Sequence, residues 1–287
     1  MNADEPTRNP FRFEPRPGAV LRGDVWNPSP NAALPGAAIV VCHGFKGFKD
    51  WGFFPFTSRT LAEQLGCPVV SFNFSGSGIG DDLETFSESE AFGHNTFSLE
   101  LADLNAVLDG LRSGRLGDLS CQPVDRIGVL GHSRGGVATI LSGEHPDVVA
   151  LTTWAGVASP MRYAELFEGL GPGDFVEIKN ARTGQILPLY MDVVDDLTAN
   201  AEQFDLEASL GRSRVPLLVV HGTKDPTVPP SDAERLAAAA PGSRLAFIEG
   251  AGHTFEVGHP FAGPSPEFAQ ALAHTSQHFE HHLATNR

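Results

Sequence analysis

Three polar residues of the kinds that cooperate in nucleophilic catalysis are Ser133, Asp225 and His253, each a few residues beyond a short apolar segment. A serine hydroxyl becomes an effective nucleophile when a neutral imidazole accepts its proton. The imidazole in turn needs a carboxylate that fixes its tautomer and stabilises its cation. The residue types and their order therefore predict a nucleophile, Ser133, a general base, His253, and a carboxylate that orients the base, Asp225.

The glycines around Ser133 favour a sharp turn between a strand and a helix. Ser133 is the centre of a Gly-x-Ser-x-Gly pattern at residues 131–135, and residues 137–141 can continue as a helix. Side chains at the two flanking positions would collide with nearby backbone in such a turn. An ordinary glycine-rich turn is the alternative in a chain with 31 glycines. We favour the nucleophile elbow because the pattern directly follows a buried strand.

A second glycine turn, His43-Gly44, ends another apolar segment and suggests an oxyanion hole. A tetrahedral intermediate of acyl transfer needs two backbone N–H donors aimed at its oxyanion. We predict that the amide of Arg134, the residue after the nucleophile, is one donor and that the amide of Phe45 is the other. The alternative is that His43-Gly44 only begins a loop.

Apolar, β-branched segments alternate with segments of helical spacing, which predicts a mostly parallel sheet flanked by helices. The clearest helix carries leucines at 101, 104, 108 and 111. Residues 11–26 predict an antiparallel hairpin. A capping box at Ser231 and Glu234 and a cap at Ser265 predict two helix starts. The predicted buried strands are residues 38–41, 68–72, 127–130, 148–153, 216–220 and 245–248.

The stretch from 157 to 214 separates two predicted strands by far more than the ~30 residues of a βαβ unit. We expect one domain, residues 1–287, with a small cap insertion at 157–214. Residues 175–179 and 185–190 predict a hairpin within it. Tyr163, Tyr190 and Met191 lie in this stretch and are candidate substrate-binding residues, because Tyr and Met suit the wall of a binding pocket. The alternative is that they only pack the insertion onto the sheet.

Composition excludes several classes of partner. The formal charge of −15 opposes binding to nucleic acid. No apolar stretch is long enough for a membrane span, and residues 1–18 lack the apolar segment of a secretory leader. We therefore expect a cytoplasmic protein. A homodimer is compatible with the sequence, which leaves the oligomeric state open. The cysteines at 42, 67 and 121 fit neither a disulfide framework nor a zinc site, and we interpret them as reduced, packed thiols.

We expect no metal and no cofactor. The histidines at 274, 278, 281 and 282 have helical spacing, and we interpret them as one solvated helix face rather than as metal ligands. Residues 76–81 fail the dinucleotide fingerprint, because Asp81 stands where its third glycine would be. Lys46 could project toward the site or into solvent, and we favour solvent. The acidic residues between 81 and 90 are interpreted as a solvated loop, and neither feature receives a role.

The segments around Ser133, His43-Gly44, Asp225 and His253 resemble the α/β-hydrolase superfamily, and in particular its serine esterase and dienelactone-hydrolase-like branches. Feruloyl and carboxylesterase-like proteins are similar in also having a modest insertion. Dienelactone hydrolases proper carry Cys as the nucleophile, from which Ser133 departs. The resemblance implies hydrolysis of a small-molecule carboxylic ester through an acyl-enzyme on Ser133. A serine peptidase or amidase, or a ligand-binding member without catalysis, is the alternative.

Overall fold

A computed structural model of the chain describes residues 6–29, 34–117, 119, 123–171, 173–180 and 183–284. Eight strands form one sheet in the order β1-β2-β4-β3-β5-β6-β9-β10, and β7 pairs with β8 in a separate sheet. The strands are β1 (Thr7–Phe13), β2 (Leu21–Asn27), β3 (Ala37–Cys42), β4 (Val69–Asn73), β5 (Arg126–His132), β6 (Val148–Trp154), β7 (Phe175–Lys179), β8 (Ile186–Tyr190), β9 (Leu217–Gly222) and β10 (Arg244–Ile248).

The strands from β3 onward in the large sheet all run parallel, whereas β1 and β2 form the antiparallel hairpin expected near the N-terminus. Every residue of β3, β4, β6 and β9 is buried. A parallel strand covered on both faces is largely apolar, which is why five of the six predicted strands are found and are buried. The sixth, β10, forms where predicted, but it lies at the edge of the sheet and is mostly exposed, so the expectation that it is buried is wrong. Because parallel strands end at one edge of the sheet, the loops after β3, β5, β9 and β10 converge there.

Helices cover both faces of the sheet. One apolar cluster joins the sheet to the first and the last of the α-helices described here, and another joins it to most of the helices between them. Two 3-10 helices span Ser142–Glu144 and Pro160–Phe167. The α-helices are α1 (Phe54–Leu65), α2 (Ser89–Gly93), α3 (Phe97–Arg112), α4 (Gly135–Leu141), α5 (Asp192–Ala199), α6 (Leu206–Arg212), α7 (Pro230–Ala239) and α8 (Pro266–Ala284).

One of the two predicted helix caps is confirmed. The Ser265 hydroxyl accepts a hydrogen bond from the Phe268 amide at 2.9 Å, at the start of α8. The capping box at Ser231 is wrong, because α7 begins one residue earlier, at Pro230, and no side chain caps it. Pro230 has no N–H to satisfy and a φ angle already close to helical, so this helix starts without a side-chain cap.

The predicted hairpin of the insertion is confirmed as the antiparallel pair β7 and β8. Its turn residues 181 and 182 lie outside the described residues. In β8 the residues alternate, so that Leu187 and Leu189 are buried while Pro188 and Tyr190 lie on the other face. The insertion otherwise consists of the 3-10 helix Pro160–Phe167, α5 and α6.

Two expectations about polar residues meet different outcomes. Cys42 and Cys67 are buried, as predicted for packed thiols, whereas residue 121 lies outside the described part of the chain. The solvated histidine face is wrong for His278, which is 2% exposed and faces the core from α8.

Within the described residues, no group of three or more His, Cys, Asp or Glu side chains is placed to hold a metal. No helix in those ranges has the length and apolarity needed to cross a membrane.

Candidate active site

Ser133 occupies a strained turn between β5 and α4. Its φ angle of 54° lies in the left-handed region, which residues with a Cβ rarely adopt. A Cβ added at Gly131 would lie 2.3 Å from Thr139 Oγ1, and one added at Gly135 would lie 2.4 Å from the His43 carbonyl oxygen. Both positions therefore require glycine, as the predicted elbow does, and the turn presents the Ser133 side chain beyond the end of the strand.

Asp225 follows β9 and is held in one orientation by the backbone around it. Its Oδ1 accepts hydrogen bonds from the amides of Thr227, at 2.8 Å, and Val228, at 2.9 Å. Its Oδ2 lies 2.7 Å from His253 Nδ1 and 3.4 Å from His221 Nε2. Burial alone would raise the pKa of Asp225, but the hydrogen bonds from His221 and His253 hold that pKa well below its usual range. The carboxylate is therefore ionised at neutral pH.

The contact with Asp225 determines the tautomer of His253. An ionised carboxylate only accepts hydrogen bonds, so Nδ1 of His253 carries a proton and donates it. At neutral charge the other ring nitrogen, Nε2, is then left with its lone pair. His253 is thus oriented as a base whose accepting nitrogen is the one that does not face Asp225.

Ser133 and His253 line one pocket of about 170 Å³. Among the described residues, no hydrogen bond joins the Ser133 hydroxyl to the His253 ring. Catalytic hydrogen bonds are often long before substrate binds and tighten in the complex. The structure therefore brings the three predicted catalytic residues to one edge of the sheet, with one of the two expected hydrogen bonds formed.

His132 links the loop of the base to the nucleophile elbow, which the sequence interpretation missed. Its Nε2 lies 2.9 Å from the His253 carbonyl oxygen, and the two rings are 4.8 Å apart between centroids. Burial and the neighbouring His253 lower the pKa of His132 to about 3, so the ring is neutral and donates from Nε2. The sequence feature that could have identified His132 is its position directly before Ser133.

The loop after β3 passes directly over the elbow. A Cβ added at Gly44 would lie 2.9 Å from both the His132 carbonyl oxygen and the Ser133 Cβ. Within the described residues, neither the Phe45 amide nor the Arg134 amide donates a hydrogen bond. Both predicted oxyanion donors thus belong to segments that meet at Ser133, and both N–H groups are unengaged.

The Arg134 side chain is buried beneath this loop, 1% exposed, and it forms an ion pair that sequence interpretation did not anticipate. Its Nε donates to Glu100 Oε1 at 2.8 Å. The guanidinium carbon lies 4.0 Å from the ring centroid of Phe97, 4.9 Å from that of Tyr163 and 5.5 Å from that of Phe45. The cation is therefore stabilised by one carboxylate and three aromatic faces. It connects the elbow to the loop that carries Phe45.

Glu100 is recognisable in the sequence as a polar residue on the apolar stripe of α3, four residues before Leu104. Burial raises the pKa of Glu100, and the charge of Arg134 opposes that rise. Asn95 Nδ2 also donates to Glu100 Oε1, at 2.7 Å. A buried carboxylate on an apolar stripe needs such partners. The sequence does not show which residue of another element supplies the positive charge.

A second pocket, of about 410 Å³, also borders Ser133 and is lined in part by the insertion. Tyr163 and Val157 lie in its wall, together with Lys46. Of the three candidate substrate-binding residues, Tyr163 is therefore the one that the structure places beside Ser133. Lys46 lines both pockets, contrary to the expectation that it would project into solvent.

Tyr190 and Met191 line a different pocket, which Ser133 does not border. The Tyr190 ring stacks on His94 with centroids 4.4 Å apart, and its hydroxyl lies 3.2 Å from Glu90 Oε2. The expectation that these two residues share a wall with Tyr163 is therefore wrong. The alternation of β8 is the cause, because it turns Tyr190 away from the face that carries Leu189.

Comparisons with known proteins agree with the fold. A model of a family described as "Alpha/beta hydrolase family" matches residues 39–271. No curated protein matches the sequence significantly. Among solved structures, the esterase domain of a Rhodothermus marinus protein is similar, at 22% identity and a TM-score of 0.67, over 96% of this chain and 99% of that one.

Two further solved structures extend the likeness. Est1E from Butyrivibrio proteoclasticus with bound ferulic acid has 19% identity and a TM-score of 0.70, over 96% of this chain and 100% of that one. A puromycin-hydrolyzing peptidase of Mycobacterium tuberculosis has 19% identity and a TM-score of 0.65, over 100% of this chain and 41% of that one. At these identities the likeness shows a shared fold.

Proposed function

Given that this chain belongs to the alpha/beta hydrolase family, we propose that it is a serine esterase that hydrolyses a small carboxylic ester through an acyl-enzyme on Ser133. The observation that carries the proposal is the 2.7 Å hydrogen bond between His253 Nδ1 and Asp225, at the border of a pocket that also holds Ser133 in a left-handed turn. The esterase neighbours support the reaction class.

In the first half of the reaction, Ser133 Oγ attacks the ester carbonyl carbon while His253 Nε2 accepts the hydroxyl proton. The carbonyl electron pair moves onto oxygen, and the amides of Phe45 and Arg134 stabilise the resulting oxyanion. When the carbonyl re-forms, the bond to the alcohol oxygen breaks. His253 gives its proton to that oxygen, and the alcohol leaves.

Water completes the cycle by the same steps. It attacks the acyl carbon as His253 accepts its proton, and the bond to Ser133 Oγ breaks as the proton returns to the serine. Asp225 remains ionised throughout and stabilises the imidazolium in each half-reaction. Its low pKa suits this role, because the carboxylate has to keep its charge while His253 gains one.

In this proposal residues 1–287 are one hydrolase domain, and the insertion, residues 157–214, is a cap that shapes the larger pocket beside Ser133. Val157 and Tyr163 of the insertion already line that pocket. Est1E was solved with ferulic acid, which is a reason to include esters of aromatic acids among the test substrates. Cleavage of amides is the second candidate, favoured by the likeness to the puromycin-hydrolyzing peptidase.

A panel of chromogenic aryl esters and matched aryl amides tests the proposal. We expect a burst of phenol equal to the enzyme concentration, followed by steady turnover, because an aryl ester with a good leaving group acylates Ser133 faster than water deacylates it. The Ser133→Ala protein is the control and should show neither phase. Faster cleavage of the amides than of the esters would favour the peptidase. Binding of esters without turnover would identify a ligand-binding protein and overturn the proposal.

A further inference from the structure

Lys46 combines a strained backbone with a position beside the nucleophile. Its φ angle of 57° lies in the left-handed region, in the loop between β3 and α1. It lines both the smaller and the larger pocket, and these are the two pockets that Ser133 borders. A glycine would adopt this backbone without strain, so this position gains a side chain at a cost in backbone energy.

The charge of Lys46 has no neutralising partner in the part of the chain that the structure describes. Among the described residues, no carboxylate lies within ion-pair distance of its Nζ, and no hydrogen bond engages it. The contact it does make is with the Phe45 ring, whose centroid is 5.9 Å from Nζ. Lys49, three residues later, is the opposite case: its Nζ lies 2.6 Å from Asp24 Oδ2 and 2.5 Å from Asp50 Oδ2.

The charged side chains around the larger pocket leave an excess of positive charge. Lys46 and Arg162 oppose a single carboxylate, Glu165, among the described residues that line it. Arg162 donates one hydrogen bond, to the Thr227 carbonyl oxygen at 2.8 Å, which holds its side chain but leaves its charge without a carboxylate among the described residues. In a chain whose formal charge is −15, this local excess runs against the average character of the molecule. Of these two cations, Lys46 is the one that also lines the smaller pocket, and so it is present in both walls beside Ser133.

We propose that Lys46 binds a negatively charged group of the substrate, so that the preferred ester carries a free carboxylate. The inference deepens the proposed function and rests on it for the position of the ester bond at Ser133. A carboxylate placed against an ammonium group in a partly apolar pocket gains more than it would in bulk water. An ester without that charge leaves the Lys46 charge uncompensated at the pocket wall.

Matched pairs of substrates test this inference. One pair varies the acyl part, as the mono-4-nitrophenyl ester of glutaric acid against 4-nitrophenyl hexanoate. The other varies the alcohol part, as 4-carboxyphenyl acetate against 4-methylphenyl acetate. We expect the wild-type protein to favour the anionic member of at least one pair by about tenfold in kcat/KM. The pair that shows the preference identifies the side of the ester on which the charge lies.

Three variants separate the charge of Lys46 from its shape. Lys46→Gln should reduce the anionic preference by about tenfold, Lys46→Arg should retain most of it, and Lys46→Glu should reverse it. All three keep a Cβ at the left-handed position, so the backbone strain is the same. Lys224→Gln is the matched control: it removes a positive charge from an exposed residue beside Asp225 that lines neither pocket, and it should leave the preference unchanged.

Failure of this inference is distinguishable from failure of the proposed function. Turnover without an anionic preference in either pair, or a preference that Lys46→Gln does not change, overturns the role of Lys46 and leaves the esterase intact. If no ester is turned over, binding of 4-carboxyphenyl acetate and of 4-methylphenyl acetate to the Ser133→Ala protein is compared by ligand-observed NMR. Equal binding of the two, with or without Lys46→Gln added, then overturns the inference on its own.

Discussion

Two regions meet at Ser133 and are held in different ways: the loops at the edge of the sheet and the insertion at residues 157–214. In the loops, backbone groups fix the functional side chains, as the Thr227 and Val228 amides fix Asp225. The insertion instead presents apolar side chains to solvent. Five of the seven large apolar residues that are exposed within the described part of the chain lie in the insertion. Packing against the rest of the protein therefore does not fix these side chains.

This difference separates rate from selectivity. A side chain fixed by backbone hydrogen bonds keeps its orientation whatever substrate arrives, and its loss affects all substrates together. A wall formed by side chains of the insertion contacts only the parts of the substrate that reach it. We therefore expect changes at the sheet edge to lower the rate for every ester, and changes in the insertion to alter the ranking among esters.

The largest effect is expected from Ser133 and His253. Ser133→Ala and His253→Ala should each lower kcat by about 10⁴-fold or more, and the double variant should be little worse than either, because the two residues act as a unit. Steady-state kinetics on a short aryl ester measures this, with circular dichroism to verify the fold. Losses that multiply in the double variant would show that the two side chains act independently.

The buried ion pair beneath the elbow should dominate over pairs at the surface. Glu100→Gln leaves the Arg134 charge without its carboxylate, and the free energy of unfolding should fall by about 3–5 kcal/mol. Glu207→Gln is the matched control, because Glu207 pairs with Arg235 in an exposed position and should contribute only about 0–1 kcal/mol. Urea unfolding of both variants measures the difference. Equal losses would mean that burial does not set the strength of these pairs.

The two tyrosines of the chain test the insertion directly. Tyr163→Ala removes part of the wall beside Ser133 and should shift the ranking of kcat/KM across acyl sizes by about 1–3 kcal/mol. Tyr190→Ala, in the same insertion but outside that pocket, should leave the ranking unchanged. The readout is a graded series of aryl esters measured on both variants. A shift with Tyr190→Ala and none with Tyr163→Ala would reverse the assignment of the wall.

Acid should weaken the sheet body rather than the insertion, which contains no histidine. Burial lowers the pKa of His278 to about 4 and that of His43 to about 4. Because the folded state resists protonation of these rings, their contribution to stability is complete above pH 6.5. It is lost progressively as the pH falls from 6.5 towards 4.

Removing one of these histidines should make the protein less sensitive to acid. His278→Gln should reduce the loss of stability between pH 6 and pH 5 by about 1 kcal/mol. Urea unfolding of the variant and of the wild-type protein at pH 8, 6 and 5 measures the slope. The same slope in both proteins would contradict a neutral, buried His278.

The fold could be predicted from the sequence where the position of a residue in a strand or a turn determines whether the residue is buried. The parallel strands are uninterrupted apolar segments, so they could be located from sequence, and with them the loops that carry Ser133, Asp225 and His253. The glycines of the elbow were equally informative. The glycines can be recognised from the sequence without knowing which residues they contact. The reason for their small size is steric, because neighbouring atoms occupy the place that a Cβ would need.

Predictions from the sequence failed where burial was judged from the polarity of a residue rather than from its position in a helix or strand. His278 lies one residue before the buried Phe279 on α8, and Glu100 lies on the apolar stripe of α3, yet each is polar. The burial of Glu100 depends on Arg134, which comes from a different helix-strand unit of the chain. Tyr190 failed for a related reason, since the face that a strand residue occupies depends on register, which the types of residue in the hairpin did not specify.

The turn at Ser133 has a consequence for how this molecule can evolve. Its steric demands fall on Gly131 and Gly135, where a methyl group would overlap neighbouring atoms, and not on the atom that performs the attack. At Ser133 itself, every residue with a Cβ meets the same left-handed backbone, so serine has no conformational advantage over cysteine. The scaffold is therefore closed to change on either side of the nucleophile and open at the nucleophile, where a single substitution exchanges oxygen for sulfur while the turn stays in place.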